Sequence, residues 1–293
     1  MDESPLLPES VDDPRITGQF YRCVPGPCSP ASAEATPTGA ETMDVERTGT
    51  TANTNTNTNT TTGTLYLLGV VHDHPASIGR VMRAVDEIDP SVLALELPPA
   101  ALPLYRVYAR KGGTNETDDG TEYVPPSRGG EMSAAISATD SASLVGIDAP
   151  NWSFLRRLVT RLVADRVSPG TARRLLSSLG GATRDALTCR IAATLTDATS
   201  MTIAPDDPIE YDCSFDDPPA EQAAHERAHV ASVQALLGSL ETTDSALAYR
   251  DDTRERCMID RLTEIRSETD DDVVAVVGID HLERLADELS ADS

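Results

Sequence analysis

The chain has 293 residues, 39% of them hydrophobic, enough apolar material for one sizeable α/β domain or two small ones. Its formal charge is −24 and Lys111 is its single lysine, so no basic stripe is present to neutralise phosphates, and nucleic acid is excluded as a partner. No run approaches the roughly eighteen apolar residues of a membrane span. The odd count of five cysteines (Cys23, Cys28, Cys189, Cys213 and Cys257) speaks against a disulfide framework.

In chain order, residues 1–62 come first. They are rich in Pro, Ser, Thr and Gly and run into the low-complexity stretch Thr51-Ala-Asn-Thr-Asn-Thr-Asn-Thr. Too few apolar residues are present to offset chain entropy, so a disordered N-terminal tail is expected. Met1 to Val11 lacks a basic region, so no signal peptide is read and a cytoplasmic location is expected. Met43 is an alternative translation start. Residues 64–71 then read as a strand, and Pro75 to Ile88 as a helix with Ile78, Val81, Met82 and Val85 at helical spacing. Ser91 to Leu97 is a second apolar strand, closed by Pro98-Pro99, and residues 100–110 form a short helix. Residues 112–140, punctuated by Gly112-Gly113, Pro125-Pro126 and Gly129-Gly130, read as a long loop. Ser143 to Asp148 is a third strand. Helices follow over 151–200, then an acidic connection over 202–217 and two long helices near 219–239 and 243–267. A strand over 272–278 and a helix over 281–290 close the chain. The alternation predicts an α/β fold: a mostly parallel sheet with flanking helices, occupying residues 63–293, with a helical insertion at about 151–267.

The same phrase ends the first and last strands: Gly69-x-x-His72 and Gly278-x-x-His281. Each is an apolar run broken by Gly, which eases a turn, and then His. Ligands in open α/β sheets bind beyond the carboxyl ends of the strands, so two such ends can deliver two histidines to one site. Glu96 closes the second strand, Asp148 the third, and Asp280 adjoins His281. Alternation in an extended segment would put His72 and His74 on one side and Asp73 on the other. Imidazole and carboxylate together suit Mn²⁺, Co²⁺, Fe²⁺ or Zn²⁺. The expected ligands are His72, Glu96, Asp148 and His281, with Glu96 as the base that activates water.

A rival pattern is His225-Glu226-Arg227-Ala228-His229, the H-E-x-x-H arrangement of helical zinc sites. Its charged flanks predict a solvated helix, and Ser232 and Ala235 stand where a third-ligand extension would place Gly and His. An accidental match on the surface is expected.

The order of these pieces resembles the TraB/PrgY pheromone-shutdown family, which is related to the Tiki metalloproteases. The residues carrying the resemblance are Gly69 to His72, Pro90-Ser-Val-Leu-Ala-Leu-Glu96-Leu97, Arg254-Glu255-Arg256, and Val274-Ala-Val-Val-Gly278-Ile-Asp-His281. They span about residues 64–290. Val70 stands where that family has Thr, and Ala101 where it has Arg, with Arg106 a possible substitute. The C-terminal membrane helices of many archaeal members have no counterpart in this sequence. The resemblance implies a TraB/erythromycin-esterase-like core and a metal-dependent hydrolase acting on a peptide or a small amide or ester. It places functional weight on Gly69, His72, Glu96, Gly278 and His281, and also on Glu255 and Arg256. A metal-independent esterase-like hydrolase and a non-catalytic peptide- or ligand-binding module are the alternatives. The acidic, lysine-poor composition looks like that of a salt-accumulating halophile, whose carboxylate surface is screened by molar salt.

Overall fold

The computed structural model describes residues 12–26, 63–110, 113–117, 120–148, 209–239 and 245–291. The expected helices over 151–200 lie outside them. Two sheets and six helices are present among the described residues. The strands are β1 (Tyr21–Val24), β2 (Leu65–Val70), β3 (Val92–Leu95), β4 (Gly113–Thr117), β5 (Gly120–Val124), β6 (Ser143–Gly146) and β7 (Val273–Gly278). The helices are α1 (Pro75–Ile88), α2 (Leu102–Ala109), α3 (Gly130–Ser137), α4 (Pro219–Ser239), α5 (Ser245–Glu268) and α6 (Ile279–Ala291).

The main sheet has the order β1-β2-β7-β3-β6, parallel except for β1. The α/β expectation therefore holds at the level of a mixed, mostly parallel sheet with flanking helices. The centre is β7, Val-Val-Ala-Val-Val-Gly, because its β-branched run can be buried on both faces. Alternation splits it between two cores. Val274 and Val276 join Leu68, Leu93, Leu95, Val81, Met82 and Val85 under α1 and α3. Val273, Ala275 and Val277 join Leu65, Leu67, Ala94, Met258, Leu262 and Leu285 under α5 and α6. Because β7 lies between β2 and β3, the last strand delivers its end between the ends of the first and second parallel strands. That order brings the two Gly-x-x-His motifs and Glu96 together.

Three expectations are corrected. Residues 12–26 are part of the fold and not tail. The strand β1 pairs antiparallel with β2, Phe20 and Val24 are buried, and the Arg80 guanidinium stacks on the Phe20 ring with 4.1 Å to its centroid. Their few apolar residues suffice because they complete an existing edge instead of building a core. Second, the loop over 112–140 holds a hairpin, β4–β5, and the helix α3, where Met132, Ala134, Ala135 and Ile136 are buried. The paired glycines read as loop markers are the start of that helix: Gly129 (φ 81°) and Gly130 (φ 46°) adopt left-handed backbone. A side chain at Gly130 would also collide with the Asp73 carboxylate. Third, the turn after β2 is made by Asp73 (φ 55°), whereas Gly69 sits inside the strand. Gly69 serves close packing, since a Cβ there would come within 2.8 Å of Leu282.

Candidate functional site

A cavity of about 290 Å³ opens at the carboxyl edge of β2, β3 and β7. Val70, Val71, His72, Glu96, Gly278, Ile279, Asp280 and His281 line it from the sheet, and His229, Val230, Val233 and Gln234 from α4. The chain has five histidines. Three line this cavity, and the other two, His74 and His225, are bonded to each other behind it.

The two motif histidines are anchored alike. His72 Nδ1 lies 3.0 Å from Glu131 Oε1, and His281 Nδ1 lies 2.8 Å from Glu255 Oε1. A carboxylate only accepts, so each Nδ1 carries a proton, and in the neutral ring each Nε2 presents its lone pair. On both rings Nε2 stands 3.5 Å from a second carboxylate oxygen, Asp73 Oδ2 for His72 and Glu96 Oε1 for His281. The anchors are fixed in turn. Glu131 is buried and its other oxygen accepts from the Asp73 backbone N–H at 2.9 Å. Glu255 pairs with Arg284, which also pairs with Asp252.

Glu96 accepts from the Gly278 N–H at 2.6 Å and from Arg254 Nη2 at 2.9 Å. Burial raises its carboxyl above the ordinary range, while His281, the Gly278 N–H and Arg254 pull it back. Arg254 also holds Asp148 in a two-point grip, Nε and Nη2 each 2.9 Å from one carboxylate oxygen. The four expected ligands thus share a neighbourhood but not one coordination sphere, for a guanidinium already bridges Glu96 and Asp148. The described triads of ligand atoms mutually within 4.8 Å are His72–Asp73–Glu131 and His74–Cys213–His225.

The second triad has unsuitable protons. His74 caps α1 by accepting the Ala76 N–H on Nδ1 at 3.1 Å. Its proton therefore sits on Nε2, which donates to His225 Nδ1 at 2.9 Å. Neither nitrogen of that contact is open to a metal. The left-handed turn at Asp73 explains why His72 and His74 part company: His72 keeps 57% of its side chain exposed, while His74 is fully buried. Burial, and then His225, His229 and Arg80, push the His74 pKa down to about 4.

The H-E-x-x-H helix is not solvated all round: Gln222, Ala223, Glu226 and Val230 are buried, while Arg227 and Ala228 are exposed. Glu226 is fully buried against an equally buried Arg80, and it accepts from Ser77 Oγ at 2.5 Å. Arg80 further donates to the Gly69 and Arg15 carbonyls at 2.6 and 2.7 Å. Glu226 is thus committed to holding α4 on α1 and cannot serve as a zinc-site base. Of the residues suggested by resemblance, Glu255 is at the site. Arg256 is exposed and paired with Asp252 one turn back, and Arg106 is exposed on α2.

Sequence reasoning passed over Glu131, quoted Arg254 without giving it a role, and read His229 as part of an accidental surface match. Arg254 was legible: it continues the buried stripe Met258, Leu262, Ile265 at helical spacing, whereas Arg256 does not. Glu131 was signalled only by the run Met132-Ser-Ala-Ala-Ile136 after the glycines.

No protein-family model matches the chain, and neither does any curated protein or solved structure. The resemblance to TraB/PrgY rests on the short motifs alone.

Proposed function

We propose that this chain is a metal-dependent hydrolase of peptides or of small amide or ester substrates, the activity that the TraB/PrgY and Tiki resemblance implies. The observation that carries the reading is the matched anchoring of His72 and His281 by Glu131 and Glu255 on the wall of one cavity. A carboxylate on Nδ1 is the usual support of a metal-binding or proton-accepting imidazole.

Donor chemistry favours His72, through Nε2, and Asp73 as ligands, with Glu131 holding the His72 ring from Nδ1; imidazole and carboxylate together are a set that Mn²⁺, Co²⁺, Fe²⁺ or Zn²⁺ accepts. An ion held there would supply Lewis acidity and an acidified water. The remaining residues do the positioning. Glu96, with its raised carboxyl, is suited to take a proton from water and to release it again. The Gly278 N–H and Arg254 keep its oxygens in place, and His281 lies beside it.

The test is metal analysis of protein purified without a histidine tag in molar KCl, together with turnover of a peptide and ester panel. We expect about one bound divalent ion per chain, lost in His72→Ala, and an affinity about 10–100-fold weaker in Glu131→Gln. Metal-free protein that still hydrolyses would transfer the reading to a metal-independent hydrolase. That alternative has one observation in its favour: Arg254 already neutralises Glu96 and Asp148, and Glu96, His281 and Glu255 form an acid–base row without an ion. Neither metal nor turnover would leave a peptide- or ligand-binding module.

A further inference from the structure

His229 has no part in the reading above, yet it shares the cavity with His72, Glu96 and His281. Its position is not that of a wandering surface side chain. Glu226, three residues before it, is locked to Arg80 and Ser77 in the interior, and Val230 beside it is buried. The His229 ring packs edge-on against Tyr211 at 5.3 Å, and the Tyr211 hydroxyl donates to the His72 carbonyl at 2.7 Å. The wall carrying His229 is thus tied to the strand end carrying His72.

Hydrolysis of an amide needs a proton delivered to the leaving nitrogen as its bond to carbon breaks. The lining groups divide on this point. Glu96 is the acceptor of the water proton. The Nδ1 protons of His72 and His281 are engaged with Glu131 and Glu255. Gln234 is an amide, and Asp280 is an exposed carboxylate. His229 is the lining side chain that can deliver a proton while Glu96 still holds the one taken from water.

Resting on the hydrolase reading, we propose that His229 is the general acid that protonates the leaving group, so that the site is built for poor leaving groups such as amines and alkoxides. Water oxygen adds to the carbonyl carbon and its proton passes to the Glu96 carboxylate. The carbon–nitrogen bond breaks, and the nitrogen keeps the bonding pair and takes the proton of the His229 imidazolium. Glu96 then returns its proton through solvent to His229. The products are a carboxylic acid and an amine, with one water consumed.

The experiment compares two substrates sharing one acyl group, an unactivated peptide amide and a p-nitrophenyl ester, with wild type and His229→Gln in molar KCl. A p-nitrophenolate leaves without help, so the variant should lose about 100-fold or more in kcat on the amide and less than about fivefold on the ester. Circular dichroism of the variant should be unchanged and its metal content equal to wild type. Equal losses on both substrates, or no loss on the amide, would overturn the assignment. Failure of the underlying hydrolase reading shows differently: the wild type itself would cleave neither substrate, and the role of His229 would fall with it. His225→Gln serves as the second variant. Any loss there should be the same for amide and ester, and a selective amide loss would give the proton to His225 instead.

Discussion

His72 and His281 differ from His74 and His225 in what holds their protons. The first pair is bonded through Nδ1 to carboxylates, which leaves lone pairs at the cavity. The second pair is strung from a backbone N–H, which turns His74 Nε2 into a donor and uses up His225 Nδ1 as its acceptor. The same residue type, two positions apart in sequence, faces the cavity at His72 and is a buried structural clip at His74. Residue identity and proximity alone would rank the two clusters as equal metal sites. Proton bookkeeping separates them.

The largest effect that sharpens this contrast is on turnover. His72→Ala or His281→Ala should lower kcat/KM at least about a thousandfold, in the range typical for loss of a catalytic group or metal ligand. His225→Ala should leave kcat/KM within about fivefold while removing the acceptor of a buried donor, at about 1–3 kcal/mol of stability. Steady-state kinetics and urea melts in molar KCl would check both, and a reversed pattern would break the comparison.

Next in size is the seam itself. Glu226→Ala leaves the Arg80 guanidinium buried without its partner, which should cost about 3–5 kcal/mol. A double variant, Arg80→Met with Glu226→Leu, should recover most of that loss. A single variant as stable as wild type would return α4 to the solvated helix that its charge suggested.

The third prediction concerns acid. A histidine held at about 4 in the fold and near 6.5 when unfolded binds its proton more readily in the unfolded chain. Stability from His74 is therefore complete above pH 6.5 and declines as pH falls from 6.5 to 4, by on the order of 3 kcal/mol. His74→Gln should flatten that slope in chemical denaturation followed against pH. The smallest effect concerns Glu96. Arg254 pulls its carboxyl down, so Arg254→Gln should move the acidic limb of the rate profile upward.

Much of this arrangement was legible in the sequence. The apolar runs gave β2, β3, β6 and β7 to within a residue or two, and the two Gly-x-x-His phrases end at one cavity. Long-range partners were not legible. Nothing local to Glu131 says that it will meet His72, because that contact depends on α3 packing beside α1. Nothing local to Arg80 marks it as buried; the arrival of α4 and of residues 12–26 makes that position interior. The strand β1 was hidden by its surroundings, four residues inside a polar stretch that gain a fold by borrowing the edge of β2. Phe20→Ala tests that point, with an expected loss of about 3–5 kcal/mol from a buried aromatic side chain.

The place of β7 has a consequence for how the molecule is made. As the last of the described strands, inserted between β2 and β3, it separates two partners that leave the ribosome early and bond to each other nowhere in the described sheet. Until residue 278 has been synthesised, β2 and β3 each expose an apolar edge awaiting a neighbour about two hundred residues downstream. Such non-local closure is slow and leaves sticky edges in the meantime. The nascent chain is committed to waiting for this late strand, and a stop codon placed just before Val273 would release a product with a gap at the middle of its sheet and no assembled histidine pair.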